Sequence, residues 1–164
     1  MIALNRAHGV LLDLDGTLLD TAPDLIASIN RLLDEQGFAA LPEREFAGSV
    51  GHGSAPMIAR AFNLGSTDHM FEGLRQRFLD LYHEQVSHQT RPYEGMEAMI
   101  DILEAAGIPW GIVTNKPGWL TEPLLTALGY GERPACVVTG DDITRRKPHP
   151  HQVTEGCRRL GLRP

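Results

Sequence analysis

Cysteine is nearly absent. Cys136 and Cys157 are the only two, too few for a disulfide framework, and their settings (apolar PACVV and helical EGCRRL) suit a core thiol and a helix-face thiol. Nothing in them requires an oxidising compartment. No apolar run approaches the roughly 20 residues of a membrane span. The amino terminus lacks the basic region, apolar core and small-residue cleavage site of a secretory signal. Positive charge is not in excess either: a net charge of −6 and a pI near 5.6 argue against nucleic acid or an anionic membrane as partner. The short run Arg145-Arg146-Lys147 follows Asp141-Asp142 and makes no nucleic-acid patch by itself. There is no Gly-x-Ser-x-Gly nucleophile elbow. No P-loop lysine follows Gly51 and Gly53, and no acid or cysteine spacing makes a zinc site of His149 and His151. What these absences leave is a cytoplasmic globular chain. Its 164 residues suit one domain, or one domain carrying an insertion.

What is present is a periodic pattern. Gly9 to Leu14 reads as a buried strand of a parallel sheet. The stretch DTAPDLIASINRLLDEQG then predicts a helix, with Thr21 as cap, Pro23 in the first turn, Asp24 three residues after the cap and Gly37 as stop. Helices are expected over about Ser54–Asn63 and Asp68–Val86, with no strand between Asp20 and about Thr90. From RPYEG onward the texture changes to helix (Glu94–Ala106), strand (IPWGIVTN), helix (GWLTEPLLTALGYG), strand (ACVVTGDD) and helix (HPHQVTEGCRRLG). That alternation spells βαβ units on a parallel sheet. Trp110 and Trp119 read as packing residues.

Polar clusters close each strand. Asp13 and Asp15 follow the first, Thr114-Asn115-Lys116 the second, and Asp141-Asp142 through Lys147 the third. In an open parallel α/β sheet the carboxyl ends of the strands form the binding crevice, so the three clusters converge. A strand has period two, so Asp13 and Asp15 project together if extended geometry persists through both. Two carboxylates that close repel, and a cation or a shared proton is expected beside them. Alone, the aspartates could mark a turn, Thr114 a locally bonded hydroxyl and Lys147 a solvated side chain; the joint pattern favours a site.

DLDGTLLD, then VTN, then KPHP, in that order and rough spacing, resembles the haloacid dehalogenase superfamily of aspartate-nucleophile phosphotransferases over the whole chain. DTAPDL, VGHG and RPYEGMEAMIDILEAAGIPWGIVTNKP look most like its phosphoglycolate phosphatase branch and the related N-acetylmuramic acid 6-phosphate phosphatases. The resemblance implies an α/β fold: a Rossmann-like parallel-sheet core over 1–19 and 91–164, with an inserted all-helical cap over 20–90. It implies Asp13 as the nucleophile that takes the phosphoryl group, and Asp15 as the acid and base. Thr114 through its hydroxyl and Asn115 through its backbone N–H would hold the phosphate, together with Gly16 and Thr17. Lys147 would offset the negative charge. Mg²⁺ would sit on an Asp13 oxygen and the Asp15 carbonyl. The partner implied is a small phosphorylated metabolite, neither nucleic acid nor membrane, with the oligomeric state open. For the cap, Gly51, His52 and Gly53 are candidate substrate contacts through helix N-terminal N–H groups, or an interhelical turn.

The superfamily's fourth motif, an acidic pair after a further strand, has no counterpart after Lys147, where Glu155 is the only acid. The chain therefore reads as carboxyl-terminally incomplete, with weaker metal affinity and an unpaired edge at the nucleophile strand expected. Hydrolysis of a phosphomonoester resembling 2-phosphoglycolate is the leading expectation. A muramic acid phosphate phosphatase, a phosphomutase of the β-phosphoglucomutase kind and an inactive binding or assembly module are the alternatives; a dehalogenase fits DGT less well.

Overall fold

The computed structural model describes residues 7–46 and 48–163. The elements run β1 (Val10–Leu12), β2 (Leu19–Asp20), α1 (Ala22–Glu35), α2 (Ser54–Phe62), α3 (Phe71–Glu84), β3 (Arg91–Pro92), α4 (Met96–Ala105), β4 (Trp110–Val113), α5 (Gly118–Ala127), β5 (Cys136–Val138) and α6 (His151–Arg159). Short 3₁₀ turns lie at Glu43–Glu45 and Val50–His52. The strands are shorter than the apolar runs that announce them. Leu14 is buried as fully as a strand residue but already belongs to a turn.

The chain folds as two compact units, Met1–Leu19 with Pro92–Pro164, and Asp20–Arg91. The first is an α/β layer. Its sheet has the order β1-β4-β5, all parallel, with Leu12 opposite Ile112 and Val113 opposite Val138. The central β4 is buried along its whole length, as a strand covered on both faces must be. Among the described residues β1 pairs on one side only. Helix α6 packs on all three strands. Its Gly156 allows the close approach, because a Cβ there would stand 2.8 Å from Leu11 Cδ1 and 3.0 Å from Val113 Cγ1.

Among its described residues the second unit holds the helices α1, α2 and α3. In α1, Leu25, Ile29, Leu32 and Leu33 recur at helical spacing and are buried, and α3 buries Leu74, Phe78, Leu81 and Tyr82 in the same way. Each such side chain, fully buried, contributes about 1.5–3 kcal/mol. The helix α1 starts differently from the sequence expectation. Thr21 makes no side-chain cap bond; Asp20 Oδ1 accepts the Ala22 N–H at 3.3 Å instead. Asp24 does not reach back to the cap. It is buried and accepts hydrogen bonds from Gln89 N–H, Thr90 N–H and Thr90 Oγ1, which fastens α1 to the segment leading out of the unit. Among the described residues from Asp20 to Thr90 the strand structure is confined to Asp20 itself, which ends β2 and lies in the two-stranded pairing of β2 with β3.

Trp110 packs as expected, buried with Nε1 donating to Glu104. Trp119 is covered only in part, at 41% exposed. Among the described residues no helix is long and apolar enough to cross a membrane.

Candidate active site

The sheet register aligns the three strand ends. Since Leu12 faces Ile112 and Val113 faces Val138, Asp13 leaves β1 level with Val113, one residue short of Thr114, and Thr114 leaves β4 level with Thr139. The loop after β1 is closed on itself by its own N–H groups. Gly16 donates to Leu19 O at 2.9 Å, Thr17 to Leu14 O at 3.3 Å and Leu18 to Asp13 O at 3.3 Å. Gly16 holds a φ of +76°, a conformation open to glycine at little cost. Gly16 and Thr17 are both exposed, but their backbone donors are spent inside the loop, where they shape the turn.

Leu14 is buried between Asp13 and Asp15, and the cations that the pair demands are there. Lys147 Nζ lies 2.6 Å from Asp13 Oδ1, and Lys116 Nζ lies 2.9 Å from Asp15 Oδ1. Each carboxylate has its own lysine. Exposure falls along the set: the Asp13 side chain is 40% exposed, Lys147 23%, Asp15 19% and Lys116 5%. Asp13 Oδ1 also accepts the Leu14 N–H at 2.8 Å, whereas among the described residues its Oδ2 accepts no hydrogen bond. One oxygen is fixed and the other presented.

Lys147 is held from several directions. Its Nζ donates to Val113 O at 2.9 Å, and its N–H is shared between Asn115 Oδ1 at 3.0 Å and Gln152 Oε1 at 3.2 Å. Asn115 Nδ2 returns a bond to Lys147 O at 3.1 Å. Gln152 is fully buried, and its Nε2 donates to Thr114 O at 2.7 Å and Thr139 O at 3.2 Å. One amide side chain therefore ties the ends of β4 and β5 to the Lys147 loop.

Thr114 is almost wholly buried, and its hydroxyl oxygen accepts the Lys116 N–H at 3.1 Å. Asn115 is exposed, and among the described residues its backbone N–H donates no hydrogen bond. The carbonyl of Asn115 lies so near Gly140 that a Cβ there would overlap it, so glycine is required at that position.

Asp141 serves the scaffold. It accepts the Gly118 N–H at 2.8 Å at the start of α5 and the Thr139 hydroxyl at 2.6 Å. Partial burial acts to raise its pKa, but the Thr139 hydroxyl and the Gly118 N–H outweigh it, and the carboxyl lies below its ordinary value. Asp142 accepts the Thr139 N–H and pairs with Arg159.

Gly51 and Gly53 lie in the helical unit. Gly51 is in the 3₁₀ turn, and Gly53, with φ +91°, immediately precedes α2. The side chain of His52 lies outside the described residues.

Lys116 is the residue that sequence reasoning placed in a cluster but gave no role. A signal was available. Thirteen of the fifteen basic residues are arginine, and the only two lysines are Lys116 and Lys147, both paired with the aspartates of the first motif.

Among the described residues no three or more His, Cys, Asp and Glu side chains gather to hold a metal ion. The oxygens on hand do suit one. The Asp13 carboxylate and the Asp15 main-chain carbonyl are hard oxygen donors of the kind Mg²⁺ takes, with water and substrate phosphate supplying the rest.

Comparison with known proteins agrees with this geometry. The chain is 42% identical over 159 residues to N-acetylmuramic acid 6-phosphate phosphatase of Pseudomonas aeruginosa, covering 97% of this chain and 70% of that protein. It is 40% identical over 156 residues to phosphoglycolate phosphatase of Xanthomonas campestris pv. campestris, covering 94% and 70%. A crystal structure described as a predicted phosphoglycolate phosphatase from Haemophilus somnus superimposes with a TM-score of 0.83 at 28% identity, over 95% of this chain and 72% of that one. Residues 10–164 match the family of haloacid dehalogenase-like hydrolases, and with an α/β core interrupted by a helical cap and two lysine-paired aspartates after its first strand, the chain belongs to that family.

Proposed function

We propose that the chain hydrolyses a small phosphomonoester in two displacements at Asp13. The observation that carries the reading is the separate pairing of the two carboxylates, Asp13 with Lys147 and Asp15 with Lys116, at the carboxyl end of the sheet. In the first displacement Asp13 Oδ2 attacks phosphorus, the bond from phosphorus to the ester oxygen breaks, and the leaving alcohol takes a proton from Asp15. In the second, Asp15 removes a proton from water, which attacks the aspartyl phosphate and frees inorganic phosphate and the Asp13 carboxylate. Splitting one hard step into two is the gain from covalent catalysis.

A carboxylate approaching a phosphate meets like charge. Lys147, 2.6 Å from Asp13, lessens that repulsion and remains in place for the transition state. The Asn115 N–H and the Thr114 hydroxyl are the proposed donors to the non-bridging oxygens. Mg²⁺ held by Asp13 and the Asp15 carbonyl would supply further charge neutralisation at the phosphoryl group.

The substrates named for the relatives, 2-phosphoglycolate and N-acetylmuramic acid 6-phosphate, are the two to test. Phosphate release from each is measured with Mg²⁺ and with a chelator, beside an Asp13→Asn control. Release that needs the metal and disappears in the control is expected, and the faster ester identifies the substrate. Equal release from the Asp13→Asn protein would overturn the assignment of the nucleophile.

A further inference from the structure

We propose that Lys116 is the positioning residue for Asp15: it fixes the carboxylate at the angle from which it serves the leaving group. The inference rests on the reading of Asp15 as acid and base given above.

Both partners are immobilised at their backbones. The Lys116 N–H donates to Thr114 Oγ1 at 3.1 Å, and its carbonyl accepts from the Gly140 N–H at 2.9 Å and from Thr121 Oγ1 at 3.5 Å. Asp15 is bridged to Leu19 within its closed loop. The two side chains then meet at 2.9 Å across 101 residues of sequence. An ion pair on the surface leaves its side chains mobile and adds little. Here the lysine side chain is only 5% exposed, and taking an ammonium out of water is costly, so such a pair is poor evidence of a stabilising device. What it provides is geometry.

The choice of residue points the same way. Among the described residues, apart from His69 beside Asp68, arginine makes the other ion pairs, with Glu35, Glu72, Asp101 and Glu155 among its partners. Lysine occurs only where a first-motif carboxylate must be met. A compact ammonium engages a single oxygen, whereas a planar guanidinium tends to take both. Asp15 is thus held through Oδ1.

The test exploits leaving-group chemistry. An alkyl phosphate needs its departing oxygen protonated; 4-nitrophenyl phosphate, with a good leaving group, needs this far less. In Lys116→Met the ratio of kcat/KM on an alkyl phosphate to kcat/KM on 4-nitrophenyl phosphate, which covers only the steps through departure of the leaving group and not hydrolysis of the aspartyl phosphate, is expected to fall by about 10²-fold, the low end for a positioned acid, as it should in Asp15→Asn. A merely structural lysine would depress both substrates alike. If Asp15→Asn lowers the ratio and Lys116→Met does not, the tether is wrong and the reading of Asp15 stands. If Asp15→Asn leaves the ratio unchanged, both fail. A second readout needs no turnover. With only two lysines, protein labelled with nitrogen-15 lysine gives two side-chain signals. Asp15→Asn should shift the one that belongs to Lys116 and leave the Lys147 signal in place, with Asp13→Asn doing the reverse. Shifts of both signals, or of neither, in Asp15→Asn would overturn the pairing.

Discussion

Asp13 and Asp15 flank a leucine that the fold buries completely, but the strand ends at Leu12 and Leu14 lies in a turn, so extended geometry does not persist through the pair. The need for a cation nearby was legible in the sequence. Lys147 was legible as that cation through its motif. Lys116 was not, because its partner lies 101 residues away and no local spacing encodes such a pairing. Gln152 escaped for a similar reason: within a helical pattern it reads as a polar surface residue, whereas the fold buries it against Thr114, Thr139 and Lys147. Replacing it by leucine leaves two carbonyls without its amide donor in a buried place. Gln152→Leu is therefore expected to lose at least about 1–3 kcal/mol of stability, read as a lower urea midpoint at unchanged slope. Activity should also fall, since the Lys147 N–H loses one of its two acceptors.

Among the elements, helix existence followed from apolar periodicity, and the termini did not. At α1 the expected capping role of Asp24 gave way to a buried clamp on Gln89 and Thr90, because a carboxylate gains more from three donors in a dry environment than from one at an exposed helix end. At α5 the carboxylate that meets the first turn comes from Asp141, beyond the next strand, and Pro117 stands where a local cap would be. This contact has a pH signature. The pKa of Asp141 is depressed in the fold, so its contribution is present above the unfolded carboxylate pKa and is lost as pH falls through the lower folded value. Asp141→Asn should cost about 0.3–1 kcal/mol near neutral pH, the size of a charge at a helix N-terminus. The gap between the two proteins should close on acidification, as followed by thermal unfolding across the acid range. A gap that persists at the lowest pH would mean that geometry, not charge, is what Asp141 supplies.

For the whole molecule, the switch from helices alone to alternating strand and helix near RPYEG located the insertion, since the two textures bury their apolar residues with different periods. The boundaries at Leu19 and Arg91 fall where the short strands β2 and β3 carry the chain between units. The choice of substrate was not legible. The meeting of Lys147 with Asp13 was, because both lie at strand ends that any parallel sheet gathers.

The central claim is that phosphoryl transfer goes through Asp13. Asp15→Asn should still be phosphorylated by 4-nitrophenyl phosphate, whose leaving group needs no acid, but it lacks the base that clears the intermediate. The decisive measurement is peptide mass spectrometry of that variant after acid quench during turnover. A phosphoryl mass increase on the peptide containing Asp13, absent when Asp13 is also changed to Asn, is the result predicted. Phosphate release with no adduct on Asp13, undiminished in Asp13→Asn, would contradict it.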